Sequence, residues 1–344
     1  MPDIAHGKTE APPPQAQLIQ MATAYWVSRL LYVAAQMNLA DHLAEGPRTA
    51  DELALSTATD APSLYRVMRT LASLGLFTED ARHRFSLTPL GEGLKTSTPG
   101  SARATVLTMA GDLNTKSMDY LLYSVQTGKT GFEKAFSMPL FEWLANHPTE
   151  ASMFSETMVG LHGAEPAAVA AAYDFSEFET IIDVGGATGN LLTTILGRHP
   201  EPRGLLVDKP HVVRDAPTLI NARALADRIR IEAGNFFETV PAADGAYLLS
   251  HIIHDWNEAQ CLTILDNCRR AMKPGSRLLI IEMALPTGDT PHPGKMLDII
   301  MLAVTGGQER TEPEYRALLH KAGFRVTHVV PTESPVSVVE AFLA

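Results

Sequence analysis

From residue 180 onward the chain alternates short apolar runs with helix-like stretches, and this alternation constrains the fold more than any other feature. The runs are Thr180–Val184, Arg203–Val207, Ile229–Ala233, Ala246–Ile252, Arg277–Glu282, Arg325–Val330 and Ser337–Phe342. Helices are expected between them, at Asn190–Leu196, Glu258–Met272 and Glu312–Ala322. Strand-helix alternation predicts a doubly wound, mostly parallel sheet. The last two runs are joined only by Pro331-Thr332-Glu333-Ser334-Pro335, too short for a parallel crossover, so that pair is expected to be antiparallel.

The first 180 residues read differently. Residues 1–15 are polar and Pro-rich and read as a disordered tail. Residues 16–43 keep a helical period through Leu18, Met21, Tyr25, Trp26, Leu30, Val33 and Met37, and read as one long helix with at most one break. Its apolar face is wide, which predicts burial against another chain or domain. Between 49 and 91 a Thr49 cap, two short helices (to about Leu55, and Ser63–Leu74) and a hairpin of Leu76–Thr78 with Arg84–Leu87 form a winged-helix pattern. Residues 100–172 are helical and rich in Met and aromatics. The expected division is a tail (1–15), a helical and winged-helix domain (16–100), a helical linker and pocket region (101–175) and the sheet domain (176–344).

The net charge of −11 argues against a large phosphate-binding surface. A winged-helix DNA-binding regulator is therefore a poor alternative: its recognition helix, Ser63–Arg69, carries only two basic residues, Arg66 and Arg69. The strongest early apolar run, Leu30–Ala35, is far too short to span a bilayer. The two cysteines, Cys261 and Cys268, fall seven residues apart on one helix, roughly 10 Å between Cα atoms and beyond disulfide reach. The expectation is a reduced, cytoplasmic protein with no membrane or nucleic-acid partner and no metal site. Asp266-Asn267 reads as a solvated helix face.

Chemistry gathers where ligands sit in open α/β sheets, past the carboxyl ends of the strands. Asp183-Val184-Gly185-Gly186-Ala187-Thr188-Gly189 follows a strand and opens a helix. It misses the G-x-G-x-x-G dinucleotide fingerprint and fits the looser acidic-x-G-x-G-x-G turn of S-adenosyl-L-methionine (SAM) enzymes, with Ala187 at the middle glycine. Asp208, at the end of the second strand, is placed to accept from ribose hydroxyls, and Asn235-Phe236 to meet an adenine. His254, in Ser250-His251-Ile252-Ile253-His254-Asp255-Trp256, titrates in the range of a base at neutral pH. Glu282 ends the apolar strand Leu278-Leu279-Ile280-Ile281, where an unpaired carboxylate is costly, so it reads as paired and functional. Glu309 reads equally as its companion or as a helix N-terminal charge. His251 is placed inside the strand, packing or hydrogen-bonding in the sheet.

These segments, with Val207-Asp208-Lys209-Pro210, Ile281-Glu282-Met283-Ala284 and Gly306-Gly307-Gln308-Glu309-Arg310-Thr311, resemble those of the plant-type, metal-independent small-molecule O-methyltransferases and their bacterial relatives. The resemblance covers almost the whole chain after residue 16. It implies a C-terminal Rossmann-like SAM domain, an N-terminal dimerisation domain, a homodimer, and methyl transfer to the hydroxyl of a small aromatic substrate. It implies His254 as general base flanked by Glu282 and Glu309, and SAM contacts from Asp183, Gly185, Gly186, Gly189, Asp208, Asn235, Phe236 and Ser250. Met158, Asp255, Asp298 and Met301 fall at substrate positions. Asn235 stands where an Asp is common, and Ser250 where a Lys or Arg is frequent. Some proteins resembling this family bind SAM yet hydroxylate or decarboxylate polyketides; the His254-Asp255 pair favours methyl transfer.

Overall fold

The computed structural model describes residues 12–98 and 100–344. Most of the expected tail therefore lies outside the described residues. The chain divides into two compact units, Met1–Gly111 and Asp112–Ala344.

The first unit contains α1 (Pro14–Thr23), α2 (Tyr25–Gln36), α3 (Leu39–Leu43), β1 (Arg48–Thr49), α4 (Ala50–Thr57), α5 (Ala61–Ser73), β2 (Phe77–Glu79), β3 (Arg84–Leu87), α6 (Pro89–Glu92) and α7 (Arg103–Met109). The single helix expected over 16–43 is three. It is interrupted at Ala24 and again at Met37-Asn38, where Asn38 takes a left-handed φ of +50° that no α-helix tolerates. The first helix also begins inside the expected tail, because Pro14 suits an N-terminal position whose amide needs no partner. Thr49 and Glu52 form a capping box on α4, and Asp60 caps α5. Leu39, Leu53, Met68, Leu71, Phe77 and Phe85 fill this unit's core. A two-residue strand, β1, extends the hairpin to the antiparallel order β1-β3-β2. Leu18, Ile19, Met21, Tyr25 and Trp26 on α1 and α2 are exposed.

The second unit opens with α8 (Asp112–Asp119), α9 (Leu121–Thr127), α10 (Gly131–Phe136), α11 (Leu140–Ala145), α12 (Pro148–His162) and α13 (Glu165–Ala172). It continues through β4 (Thr180–Val184), α14 (Asn190–Arg198), β5 (Arg203–Asp208), α15 (Pro210–Val213), α16 (Ala216–Ala222), β6 (Ile229–Ala233), β7 (Ala246–Ser250), α17 (Glu258–Ala271), β8 (Arg277–Glu282), β9 (Ala284–Leu285), α18 (Pro293–Ile300), β10 (Arg310–Thr311), α19 (Glu312–Lys321), β11 (Phe324–Pro331) and β12 (Ser337–Leu343).

The seven-stranded sheet has the order β11-β12-β8-β7-β4-β5-β6. The five strands β8-β7-β4-β5-β6 are parallel, while β12 inserts antiparallel between β8 and β11. Apolar layers cover both faces. Ile182, Val184, Leu205, Tyr247 and Leu249 point into one, and Ile181, Leu206, Ala246 and Leu248 into the other, which is why the strands read as continuous apolar runs. From β4 the chain winds outward through β5 and β6, then returns to the other side of β4 for β7 and β8. The switch between β4 and β7 opens a crevice at their carboxyl ends. The small parallel pair β9–β10 lies outside the sheet and ties the segment after Glu282 to the segment after Glu309. Among the described residues no helix is long and apolar enough to cross a membrane.

Candidate active site at the carboxyl edge of the sheet

The glycine turn leaves β4 in a conformation few residues adopt. Gly185, Ala187 and Gly189 have φ of +78°, +49° and +82°. A Cβ on Gly185 would fall 2.5 Å from Ile252 Cδ1, and one on Gly186 2.3 Å from Asp183 Oδ2, so backbone alone fits there. Ala187 holds its left-handed place by donating its amide to Asp208 Oδ2 at 3.0 Å, while Lys209 N donates to Asp208 Oδ1 at 2.7 Å. Asp183 is 1% exposed, and its Oδ2 has no hydrogen-bond partner. Burial, with the nearby Asp208 charge, pushes its pKa up to about 7. An orphaned buried carboxylate oxygen beside a cradle too tight for a Cβ fits a nucleoside ligand that supplies its own donors. Asn235 closes the turn after β6, accepting from Phe237 N at 3.1 Å and donating to Glu238 at 2.9 Å. Asn267, expected on a solvated helix face, is instead buried on α17 and donates to the carbonyl of Phe236 at 2.8 Å. The adjacent Asp266 is the partly exposed one, paired with Arg269 and Arg270.

Past β7 the chain departs from the expected strand, which ends at Ser250 rather than Ile252. His251 is outside the sheet: its amide still reaches Ile281 O, but its φ is +53° and its side chain points to Glu165, Nε2 to Oε2 2.9 Å. A short 3-10 turn, Ile253–Asp255, then carries His254.

His254 is buried, and its Nδ1 lies 2.6 Å from Glu309 Oε1. Asp255 Oδ1 stands 3.9 Å from Nε2. The imidazole's direct partner is therefore Glu309, not its sequence neighbour. Burial by itself lowers the pKa of His254, but the negative charges of Asp255, Glu309 and Glu282 outweigh it, and the net shift is upward. Burial pushes Asp255 up to about 6.

Glu282 is fully buried and grips backbone rather than the imidazole. Its Oε1 accepts from the amides of Ile252, Ile253 and His254 at 3.1, 2.6 and 3.2 Å, and its Oε2 accepts from Tyr315 OH at 2.5 Å. Glu309 is oriented from behind by Asp298, whose Oδ1 accepts its amide at 2.8 Å. Gly307 lets this loop lie on the 3-10 turn, since a Cβ there would sit 1.9 Å from His254 O. Arg310 donates to the carbonyls of Ile253 and Gln308 at 3.2 and 3.1 Å. Tyr315 and Arg310 escaped the sequence reading: an Arg or Tyr in a helix-opening segment carries no periodic signal of what it will hold. Met301 begins a π-helical turn, Met301–Thr305, and is buried. Met158 is half-buried on α12, one turn before His162. Ser250 is the half-buried last residue of β7.

A family model for an O-methyltransferase domain matches residues 118–325, and one for an O-methyltransferase dimerisation domain matches residues 19–97. A phenazine O-methyltransferase of Lysobacter antibioticus is 43% identical over 336 residues, 98% of each chain. The crystal structure of LaPhzM superposes with a TM-score of 0.93 at 43% identity, covering 97% of this chain and 100% of that one. An O-methyltransferase from neocarzinostatin biosynthesis, solved with SAM and 2-hydroxy-5-methyl naphthoic acid, has a TM-score of 0.84 at 30% identity, covering 97% and 100%. With a glycine turn that only backbone fits, a buried histidine–carboxylate pair and these relatives in register along nearly its whole length, the chain belongs to the O-methyltransferase family and is a SAM-dependent O-methyltransferase.

Proposed function

We propose that the protein works as a homodimer that methylates a hydroxyl group on a flat, phenazine-like or related aromatic acceptor, with His254 as the general base. The observation that carries the reading is the buried His254–Glu309 contact of 2.6 Å at the sheet edge that bears the glycine cradle. A family dimerisation domain and the exposed apolar side chains of α1 and α2 support the dimer. The activities of the phenazine and naphthoate relatives support the acceptor class.

SAM, when bound, supplies a methyl group already activated on a sulfonium. The chain's part is positioning and proton handling. Glu309 accepts a hydrogen bond from Nδ1–H of His254, which fixes the tautomer that leaves Nε2 as the acceptor for the substrate's hydroxyl proton. As that proton arrives, Glu309 and Asp255 stabilise the imidazolium. Glu282, Tyr315 and Arg310 hold the backbone of the 3-10 turn, so they position His254 without touching substrate. On the cofactor side Asp183, Gly185, Gly186 and Gly189 form the cradle, Asp208 takes the ribose hydroxyls, Asn235 and Phe236 take the adenine, and Ser250 closes the edge. Met158, Asp255, Asp298 and Met301 line the acceptor pocket, built on the 101–175 helices, while residues 16–100 dimerise. The dyad favours methyl transfer over SAM-dependent hydroxylation or decarboxylation.

The test is mass spectrometry of product from SAM and a panel of hydroxylated phenazines, naphthoates and simple phenols. Wild type is expected to yield a mono- or dimethyl ether and S-adenosylhomocysteine. His254→Ala is expected to lose about 10²-fold or more in kcat. Full turnover by His254→Ala refutes the base assignment.

A further inference from the structure

One buried ionisable cluster takes no part in this proton transfer. His162, Glu165 and His251 present ligand atoms that all lie within 4.8 Å of one another. The side chains of Glu165 and His251 are each 10% exposed and paired at 2.9 Å. His162 stacks on His251, ring centroids 3.9 Å apart and planes 11° from parallel. Three unrelated backbone devices bring them together. His162 ends α12, Gly163 turns the chain at φ +45°, and Glu165 opens α13, where the helix N-terminus favours its charge. His251 arrives from the other side, in a left-handed conformation uncommon for any residue but glycine and characteristic of functional sites.

We propose that His251 and Glu165, backed by His162, bind the α-carboxylate and α-ammonium groups of the methionine arm of SAM. The proposal rests on reading the glycine turn and Asp208 as the nucleoside side of the cofactor site. The strand order β6-β5-β4-β7 sets Phe236, Asp208, Gly185 and His251 in succession along one edge. Asp183 pairs with Leu248, so β4 and β7 end side by side, and the place of a Gly185 Cβ is filled by Ile252, the next residue after His251. A ligand with its ribose at Asp208 and its methyl within reach of His254 has its remaining arm at the β4–β7 end. His251 stands there, its ring centroid 5.3 Å from that of His254. The arm is a zwitterion, and a histidine–glutamate pair offers a ring N–H donor for its carboxylate and a carboxylate acceptor for its ammonium. A neutral aromatic acceptor calls for neither. Burial, with the neighbouring His251 and His254, pushes the pKa of His162 down to about 2, so it stays uncharged. It acts as a flat backing that fixes the ring plane of His251 without competing for the carboxylate.

The experiment compares two ligands by calorimetry on the full chain: S-adenosylhomocysteine, and 5′-methylthioadenosine, which lacks the amino-acid arm. His251→Ala and Glu165→Gln are expected to weaken S-adenosylhomocysteine by about tenfold or more while leaving methylthioadenosine within about twofold. His251→Lys is expected to recover most of the loss. Equal weakening of both ligands assigns the cluster to general stability and overturns the proposal. Unchanged binding of both, with a raised KM for the acceptor, also overturns it. Wild type that fails to bind methylthioadenosine refutes the nucleoside reading beneath it, a result distinct from either.

Discussion

Replacing Glu309 by Gln removes one negative charge and keeps a hydrogen-bond acceptor of the same shape beside His254. Nδ1 and Oε1 are 2.6 Å apart, so the centres of the two charges lie roughly 4 Å apart. At an effective dielectric near 20 that separation corresponds to about 4 kcal/mol, or about 3 pK units, as a ceiling. The surrounding carboxylates raise the pKa of His254 above that of the free side chain, and Asp255 and Glu282 remain in the variant. The pKa is therefore expected to fall by about one to three units. Because the group is raised in the native site, losing a carboxylate moves its titration toward acid, and the neutral form becomes available at lower pH. The same loss weakens the developing imidazolium, so the plateau rate at high pH is expected to drop about tenfold or more. The pH profile of kcat/KM at saturating SAM, checked by direct NMR titration of the imidazole, reads both effects. A midpoint that stays put or moves toward base, or a plateau that does not fall, refutes the assignment of Glu309 as the charge partner of the base.

Asp183→Asn is expected to stabilise the cofactor-free protein in a pH-dependent way. The folded pKa of about 7 lies above the ordinary 3.8, so the native state carries a growing penalty as pH rises between those values, up to about 4 kcal/mol; the variant's Tm advantage should be larger near pH 8 than near pH 5, and an equal gain at both would count against a buried charge. Gly307→Ala puts a Cβ 1.9 Å from His254 O, against backbone that cannot yield, and is expected to part Glu309 from His254. The rate should fall on the order of 10²-fold while S-adenosylhomocysteine affinity holds, and near-normal turnover would show that the loop has another way to close. Leu18→Glu with Trp26→Glu, both exposed in the isolated chain, should convert a dimer to monomer by light scattering, since each apolar side chain contributes about 2 kcal/mol when covered.

The central strands β4, β5, β7 and β8 were legible because both their faces are buried, and an unbroken apolar run bounded by charged or turn residues is a strong signal. The glycine turn was legible because its backbone needs residues with little or no side chain. The two-residue strands β1, β9 and β10 are too short to have a period, and β9–β10 pairing is what carries Glu309 to its place. The break at Asn38 and the left-handed turn at His251 are single-residue decisions made by tertiary packing, invisible to helical or strand periodicity. Glu282 illustrates the same limit from the other side. Its burial and the cost of leaving it unpaired follow from its neighbours in sequence, but its choice of three backbone amides and a tyrosine depends on residues 28 to 33 positions away.

The insertion of β12 between β8 and β11 has a consequence for the order in which the molecule is made. Ser337 pairs with Glu282, so the strand that ends in the carboxylate gripping the 3-10 turn receives its outer neighbour only after β9, β10 and β11 have been synthesised. A nascent chain that has completed β4 through β8 already holds the glycine cradle and both histidines of the β7 edge. It lacks the edge protection of β12, the Glu309 partner and the Tyr315 hydroxyl. Such an intermediate has an open, apolar strand edge at β8. The glycine turn and Asp208 are thus made before the carboxylate and hydroxyl that complete the surroundings of His254, and the β8 edge stays open until β12 is made.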